Sequence, residues 1–150
     1  MYRRILVPID GSDAGQRGLD AACAMARAFD ASLVLLHVVE HPTMVADASL
    51  AMTWEQFGES LREHGKGVLA RAHEAASAAG IASETWIVEA YTSRVGEVIA
   101  QQATEHRCDL VVVGSHGLHG IERVLLGSDA ERVVRLSPVP VLVVRQAPSA

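Results

Sequence analysis

Several ingredients are scarce in this chain, and each scarcity removes a class of function. Only two of the 150 residues are cysteine, Cys23 and Cys108, and they form no CxxC pair. They read as two buried, inert thiols in a reducing compartment rather than a disulfide framework. Aromatic residues make up 4% of the sequence, so the core is not built on rings and little is available to stack on a flavin. Positive charge is in deficit: the formal net charge is −5, which argues against a general nucleic-acid binder. No run approaches the ~18 apolar residues of a membrane span. The apolar "ILVPI" after Arg3 and Arg4 ends at Asp10 and is shorter than a signal-peptide core, so a soluble, cytoplasmic protein is expected. No Gly-Lys-Ser/Thr occurs, which excludes a Walker loop.

Hydrophobic residues are abundant, at 49%, and the length suits one domain over residues 1–150, with 146–150 expected as a flexible tail. Short apolar runs alternate with helical patterns. "RRILVPIDGSD" predicts a buried strand over about 4–9, followed by a cap at Ser12 or Asp13. Leu19, Ala22, Cys23, Ala26 and Phe29 share one helix face. "ASLVLLHVV" predicts a second buried strand, and "EHPTMVADASLAMT" a loop or lid. A long helix with Trp54, Phe57, Leu61, Val68, Ala72, Ala75 and Ala79 on its inner face follows and stops at Gly80; Gly58, Gly65 and Gly67 weaken it and allow a break near Gly65. "SETWIVEA" alternates as an edge strand does. Val95, Val98, Ile99 and Gln102 mark a third helix, "CDLVVVG" a fourth strand, and 128–136 a last helix capped by Ser128. "SPVPVLVV" is the fifth strand, with Pro138 and Pro140 at its entry or on an edge. This order implies an α/β fold: a parallel sheet with right-handed crossovers and helices on both faces.

Ligands of such folds sit beyond the carboxy ends of the strands. There the sequence places "PIDGSD" after the first strand and "GSHGLHG" after the fourth. Gly114, Gly117, Gly120 and Gly127 follow an apolar run, and a glycine loop leading to a helix N-terminus can bind an anion through backbone N–H groups. Equally, glycines there can serve only as turns. The spacing G-x-x-G-x-x-G is not the dinucleotide fingerprint G-x-G-x-x-G.

Gly114-x2-Gly117-x9-Gly127-Ser128 is similar to the pattern G-x2-G-x9-G-[S/T] of the ATP-binding branch of the universal stress protein family. "RRILVPIDGS", "LLHVVE" and "SPVPVLVV" resemble that family too, so the resemblance covers almost the whole chain. It implies a three-layer, Rossmann-like open sheet of five parallel strands in the order 3-2-1-4-5. It also implies a homodimer through the fifth strand, Val139–Arg145, whose apolar edge would otherwise be exposed. The implied ligand is ATP (or ADP or AMP) with accompanying Mg2+. By the same resemblance, Pro8 and Ile9 line the base pocket, Asp10 lies near the ribose or the metal-phosphate region, and the backbone of Val38 meets the adenine edge. Val113, Gly114, Ser115, His116 and Gly117 surround ribose and phosphates, while Gly127, Ser128, Asp129 and Ala130 donate to phosphate. Asp129 and Leu118 depart from the family pattern, one adding a carboxylate at the phosphate helix and one lacking a basic group, which His119 and Arg123 could replace.

The remaining constellations are weaker. His116 and His119 with Asp10 fall short of the three or four converging ligands of a protein-built metal site. Ser12 and Ser115 lack a G-x-S-x-G context and a paired base, so no catalytic residue is expected and at most slow ATP hydrolysis. His37 reads as a satisfied core or crevice residue; His41, His64, His73 and His106 read as solvated, as do Arg3, Arg4, Arg132, Arg135 and Arg145. The expected function is a nucleotide-binding homodimer that regulates stress tolerance or a partner such as a transporter or enzyme. A nucleotide-free interaction module is the alternative, and a flavin carrier a remoter one.

Overall fold

The computed structural model describes residues 1–42, 51–116 and 126–146, without the side chains of 51–54. The chain runs β1 (Arg4–Pro8), α1 (Asp13–Phe29), β2 (Ser32–Glu40), α2 (Ala51–Ala78), β3 (Ser83–Ala90), α3 (Val95–Glu105), β4 (Leu110–Gly114), α4 (Ser128–Leu136) and β5 (Val141–Val144). The five strands form one sheet in the order β3-β2-β1-β4-β5, and every pairing is parallel. Ile5, Leu6 and Val7 of β1, Leu33 to Leu36 of β2, and Leu110 to Val113 of β4 are all buried. Successive strand residues face opposite sides, so unbroken apolar runs require cover on both. That cover is two separate cores. Ile5, Val7, Leu33 and Leu35 pack with Leu19 and Ala22 of α1 and Val68, Leu69 and Ala72 of α2. Leu6, Val34, Leu36, Val111 and Val113 pack with Ile99 and Ala103 of α3 and Ala130 and Val133 of α4.

The edges follow from the same reasoning. β3 alternates because it has one strand neighbour and incomplete cover, and its Trp86 is 45% exposed. β5 is the opposite edge, with Leu142 exposed and Val141, Val143 and Val144 half-buried. It spans Val141–Val144, shorter than the expected 139–145, because Pro140 lacks the N–H to extend the ladder. Its carbonyl still accepts from Val111 N at 3.0 Å.

Several expectations need correction. α2 is continuous through Gly65, because helical packing compensates for a modest propensity penalty. Its buried stripe is Val68, Leu69, Ala72 and Ala76; Ala75 is exposed, one helical position off the stripe. Phe57, expected as core or dimer contact, is 46% exposed and so lies outside the core of this chain. A 28-residue helix spans about 42 Å, longer than the strands it covers, so its first turns outrun the sheet. Cys108 is buried but Cys23 only half so. Gly127, not Ser128, is the N-cap of α4.

Candidate functional site

The helices that follow β1 and β4 begin in different ways. After β1, Ile9 N donates to Leu36 O at 2.8 Å, and Gly11 turns the chain at φ +83°. Asp10 Oδ1 accepts from Ser12 N at 2.9 Å and from Ser12 Oγ at 2.5 Å. Ser12 Oγ in turn accepts from Gly15 N at 3.0 Å, so the start of α1 is capped by its own side chains.

Among the described residues, no side chain caps the start of α4 in this way. Gly127 caps it without a side chain, at φ −67° and ψ 155°, and the first intrahelical bond is Glu131 N to Gly127 O at 2.9 Å. The N–H groups of Ser128, Asp129 and Ala130 therefore have no partner within the helix, as in any first turn. Gly127 N is used differently: it donates to Ser115 O at 2.7 Å, which joins the end of β4 to the head of α4. A Cβ on Gly127 would lie 3.1 Å from Ser115 O and 3.4 Å from His116 Cα, so the two segments touch through backbone. Ser115 is buried, its N–H donates to Val144 O at 2.9 Å, and its hydroxyl shares a 2.9 Å hydrogen bond with His116 Nδ1. Gly114 packs on α1 so closely that an added Cβ would overlap the Ala14 carbonyl.

Of the expected site residues, the fold thus brings together Asp10, Gly114, Ser115, His116, Gly127, Ser128, Asp129 and Ala130 at one end of the sheet. Pro8 and Val38 are half-buried and lie on the face of Val113, which is buried in the core against α3 and α4. Ile9 is 7% exposed and packs into the opposite core with Leu19 and Val68. Asp129 is exposed, and Ala130 is buried beside Val133. Gly117, Gly120, Leu118, His119 and Arg123 lie outside the described residues, as do most of the expected lid and the tail from 147 onward. Among the described residues, no group of three or more His, Cys, Asp or Glu is placed to hold a metal ion.

His37 is buried, as the sequence suggested, and its Nδ1 lies 2.7 Å from Ile9 O. Two other histidines are not the solvated residues expected. His41 is half-buried and stacks on Tyr91 with ring centroids 4.4 Å apart. Beside them Glu89 accepts from Tyr91 OH at 2.5 Å and Arg62 Nη1 at 2.7 Å, which holds its carboxyl below the usual range and raises both partners. His106 is half-buried against Trp86, 4.6 Å between centroids, and its carbonyl accepts from Arg4 Nε at 2.7 Å. Arg4 also pairs with Glu84, and Arg132 pairs with Glu97 at 3.1 Å, so neither is simply solvated. Sequence periodicity missed these clusters because partners such as Arg62 and Glu89 are 27 residues apart. A cavity of about 650 Å3 opens beside Arg3, Arg27, Asp30 and Gly80, at the opposite end of the sheet from the crevice.

The fold has close parallels among known proteins. The model of the universal stress protein family matches residues 1–145. A universal stress protein of Methanocaldococcus jannaschii is 34% identical over 146 residues, covering 97% of this chain and 84% of the relative. The solved structure of universal stress protein UspA from Lactobacillus plantarum superposes with a TM-score of 0.85 at 27% identity, covering 96% of this chain and 98% of that one. A universal stress protein solved in complex with cAMP superposes with a TM-score of 0.67 at 28% identity, covering 97% of this chain and 98% of that one. From the first strand to the last, the chain belongs to the universal stress protein family.

Proposed function

We propose that this chain is a one-domain, cytoplasmic, homodimeric regulator that binds an adenine nucleotide, ATP first among them, at the crevice between β1, β4 and α4. The observation that carries this reading is the contrast between two helix heads at the same end of the sheet. At the head of α1 Ser12 Oγ takes up the Gly15 N–H, whereas the N-cap of α4, Gly127, offers no side chain and leaves the N–H groups of Ser128, Asp129 and Ala130 without intrahelical partners. A phosphate belongs at the second, where N–H groups and the helix dipole favour negative charge. The cAMP held by a structural relative supports the same ligand class. In this reading Pro8 and Val38 bound the base, while Ile9 stands behind them with its side chain in the opposite core. Val113, Gly114, Ser115, His116 and Gly117 surround ribose and phosphates, and Ser128, Asp129 and Ala130 receive phosphate; Gly127, whose N–H is held by Ser115 O, shapes the turn beside them. Mg2+ enters with the nucleotide, and Asp10 is the carboxylate at hand, since this cation is usually held by one or two carboxylates plus phosphate oxygens.

Position 128 offers a direct test. Proline is tolerated at the first helical position, and Gly127 already has the extended ψ that a following proline demands. Ser128→Ala removes a hydroxyl, while Ser128→Pro also removes an N–H. ATP affinity measured by calorimetry should fall only slightly for the first and about tenfold for the second, the scale of one hydrogen bond to a charged group. Equal affinities for wild type and Ser128→Pro would remove α4 from the site.

A second reading is favoured by Asp129. This exposed carboxylate, with Glu131, complements the dipole of α4 and offsets the field that would attract a triphosphate. A nucleotide-free interaction protein would keep its fold and show a melting temperature indifferent to ATP.

A further inference from the structure

The site as described leaves a buried histidine beside it unused. His37 is 8% exposed, and its Nδ1 is 2.7 Å from the carbonyl oxygen of Ile9. A carbonyl oxygen only accepts, so Nδ1 carries the proton. Ile9 N already donates to Leu36 O at 2.8 Å. Two consecutive residues of β2 therefore grip both polar groups of Ile9, the last residue before Asp10. That grip fixes the peptide plane from which Asp10 departs to organise Ser12 and the head of α1.

The imidazole is held in place from the other side by α2. A Cβ on Gly65 would lie 2.5 Å from His37 Cδ2 and 3.0 Å from Nε2, so the helix passes directly against the ring. One turn along, Val68 Cγ2 would be 3.3 Å from a Cβ on Gly11. The neighbouring His64 ring sits edge-on to His37, with 6.3 Å between centroids. A side chain at position 65 forces the imidazole or the helix to shift. A glycine costs stability in a helix interior, and here it makes room for the ring that alanine would crowd.

We propose that His37 is a positioning residue for the nucleotide crevice, acting through the Ile9 carbonyl, and that Gly65 is the position on α2 that permits it. This rests on the nucleotide-binding reading above. It differs from a merely space-filling histidine in requiring a donor at Nδ1, not just volume.

The test uses the full chain in five forms: wild type, His37→Asn, His37→Leu, Gly65→Ala and Gly67→Ala. Asparagine can offer an amide N–H near the position of Nδ1, whereas leucine offers only volume. Gly67→Ala is the matched control, since a Cβ there meets only Arg71 Nη1 at 3.6 Å, an ordinary contact. Without nucleotide, nitrogen-15 spectra should show the His37 proton on Nδ1. The Gly11 and Ser12 amides should shift in His37→Leu and Gly65→Ala but not in Gly67→Ala. Affinity for ATP with Mg2+ should fall about tenfold in His37→Leu and Gly65→Ala, the scale of one misplaced buried hydrogen bond, and stay within about threefold in His37→Asn and Gly67→Ala. A neutral His37 protonated on Nε2, a folded Gly65→Ala that binds as wild type, or a His37→Asn as weak as the leucine variant overturns the inference. Wild type that takes up no nucleotide overturns the functional reading instead, and the tautomer and the Gly11 and Ser12 shifts then decide the role of His37. Should His37→Leu fail to fold, Gly65→Ala against Gly67→Ala carries the comparison.

Discussion

Single residues at this crevice work mainly through backbone proximity. Gly114 is the clearest case, because α1 crosses it with no room for a methyl group. Gly114→Ala would force the Ala14 carbonyl away and should destabilise the fold by about 1–3 kcal/mol, the usual range for overpacking, as read from the urea midpoint. Buried thiol chemistry gives a second prediction. Burial pushes the Cys108 thiol from its ordinary value of 9.0 up to about 11. The folded state holds that proton more tightly, so this contribution to stability is complete below pH 9 and is lost as pH rises toward 11. Cys108→Ala should therefore flatten the decline in stability above pH 9 relative to wild type. Uniform decline in both would remove Cys108 as its source. Much at this scale was legible beforehand. The strand ends at Asp10 and Gly114 and the helix start at Gly127 were readable because strand ends and turn residues are local signals. Ile9 was assigned to a base pocket, yet its side chain faces the opposite core, since alternation along β1 puts it with Ile5 and Val7.

At the scale of elements, the sheet was readable because the chain writes it in unbroken apolar runs, and β3 because it alternates. Helix α2 was less so. Its glycines suggested a break, but Gly58 and Gly65 mark close neighbours rather than flexibility: a Cβ on Gly58 would lie 3.3 Å from His41 Cε1. The cluster of Arg62, Glu89, Tyr91 and His41 ties the amino-terminal half of α2 to the ends of β2 and β3. No local pattern announces it, because its members come from α2, from β3 and from the residues just past the ends of β2 and β3. Glu89 is held below its ordinary value, so the tie is complete above that value and weakens as pH falls through the lowered one. Glu89→Gln should speed amide exchange in residues 55–62 at neutral pH while leaving the global unfolding midpoint nearly unchanged, since exposed ion pairs contribute little to overall stability. Unaltered exchange would mean that apolar contacts alone hold this part of α2.

For the whole molecule, the open question is what covers the β5 edge. Leu142 on β5 and Val134 and Leu136 on α4 are exposed at 37%, 48% and 51%. An unpaired apolar edge strand is a liability unless another chain pairs with it. A dimer through β5 is the proposed solution, and Leu142→Arg should shift the mass measured by light scattering from two chains to one, with the fold intact by circular dichroism. A monomeric wild type would leave the edge to a different partner. The layer order and strand order were legible because the family resemblance spans the chain and the alternation of elements admits few topologies; the loop contacts were not, because they depend on which ends the fold brings together. The most direct test of nucleotide binding is an isothermal titration of the purified wild-type chain with ATP and Mg2+ into the millimolar range. Saturable binding of one nucleotide per chain, weakened in Ser128→Pro, is the expected result. No uptake at millimolar ATP by a folded protein would contradict it and leave the open head of α4 without its anion.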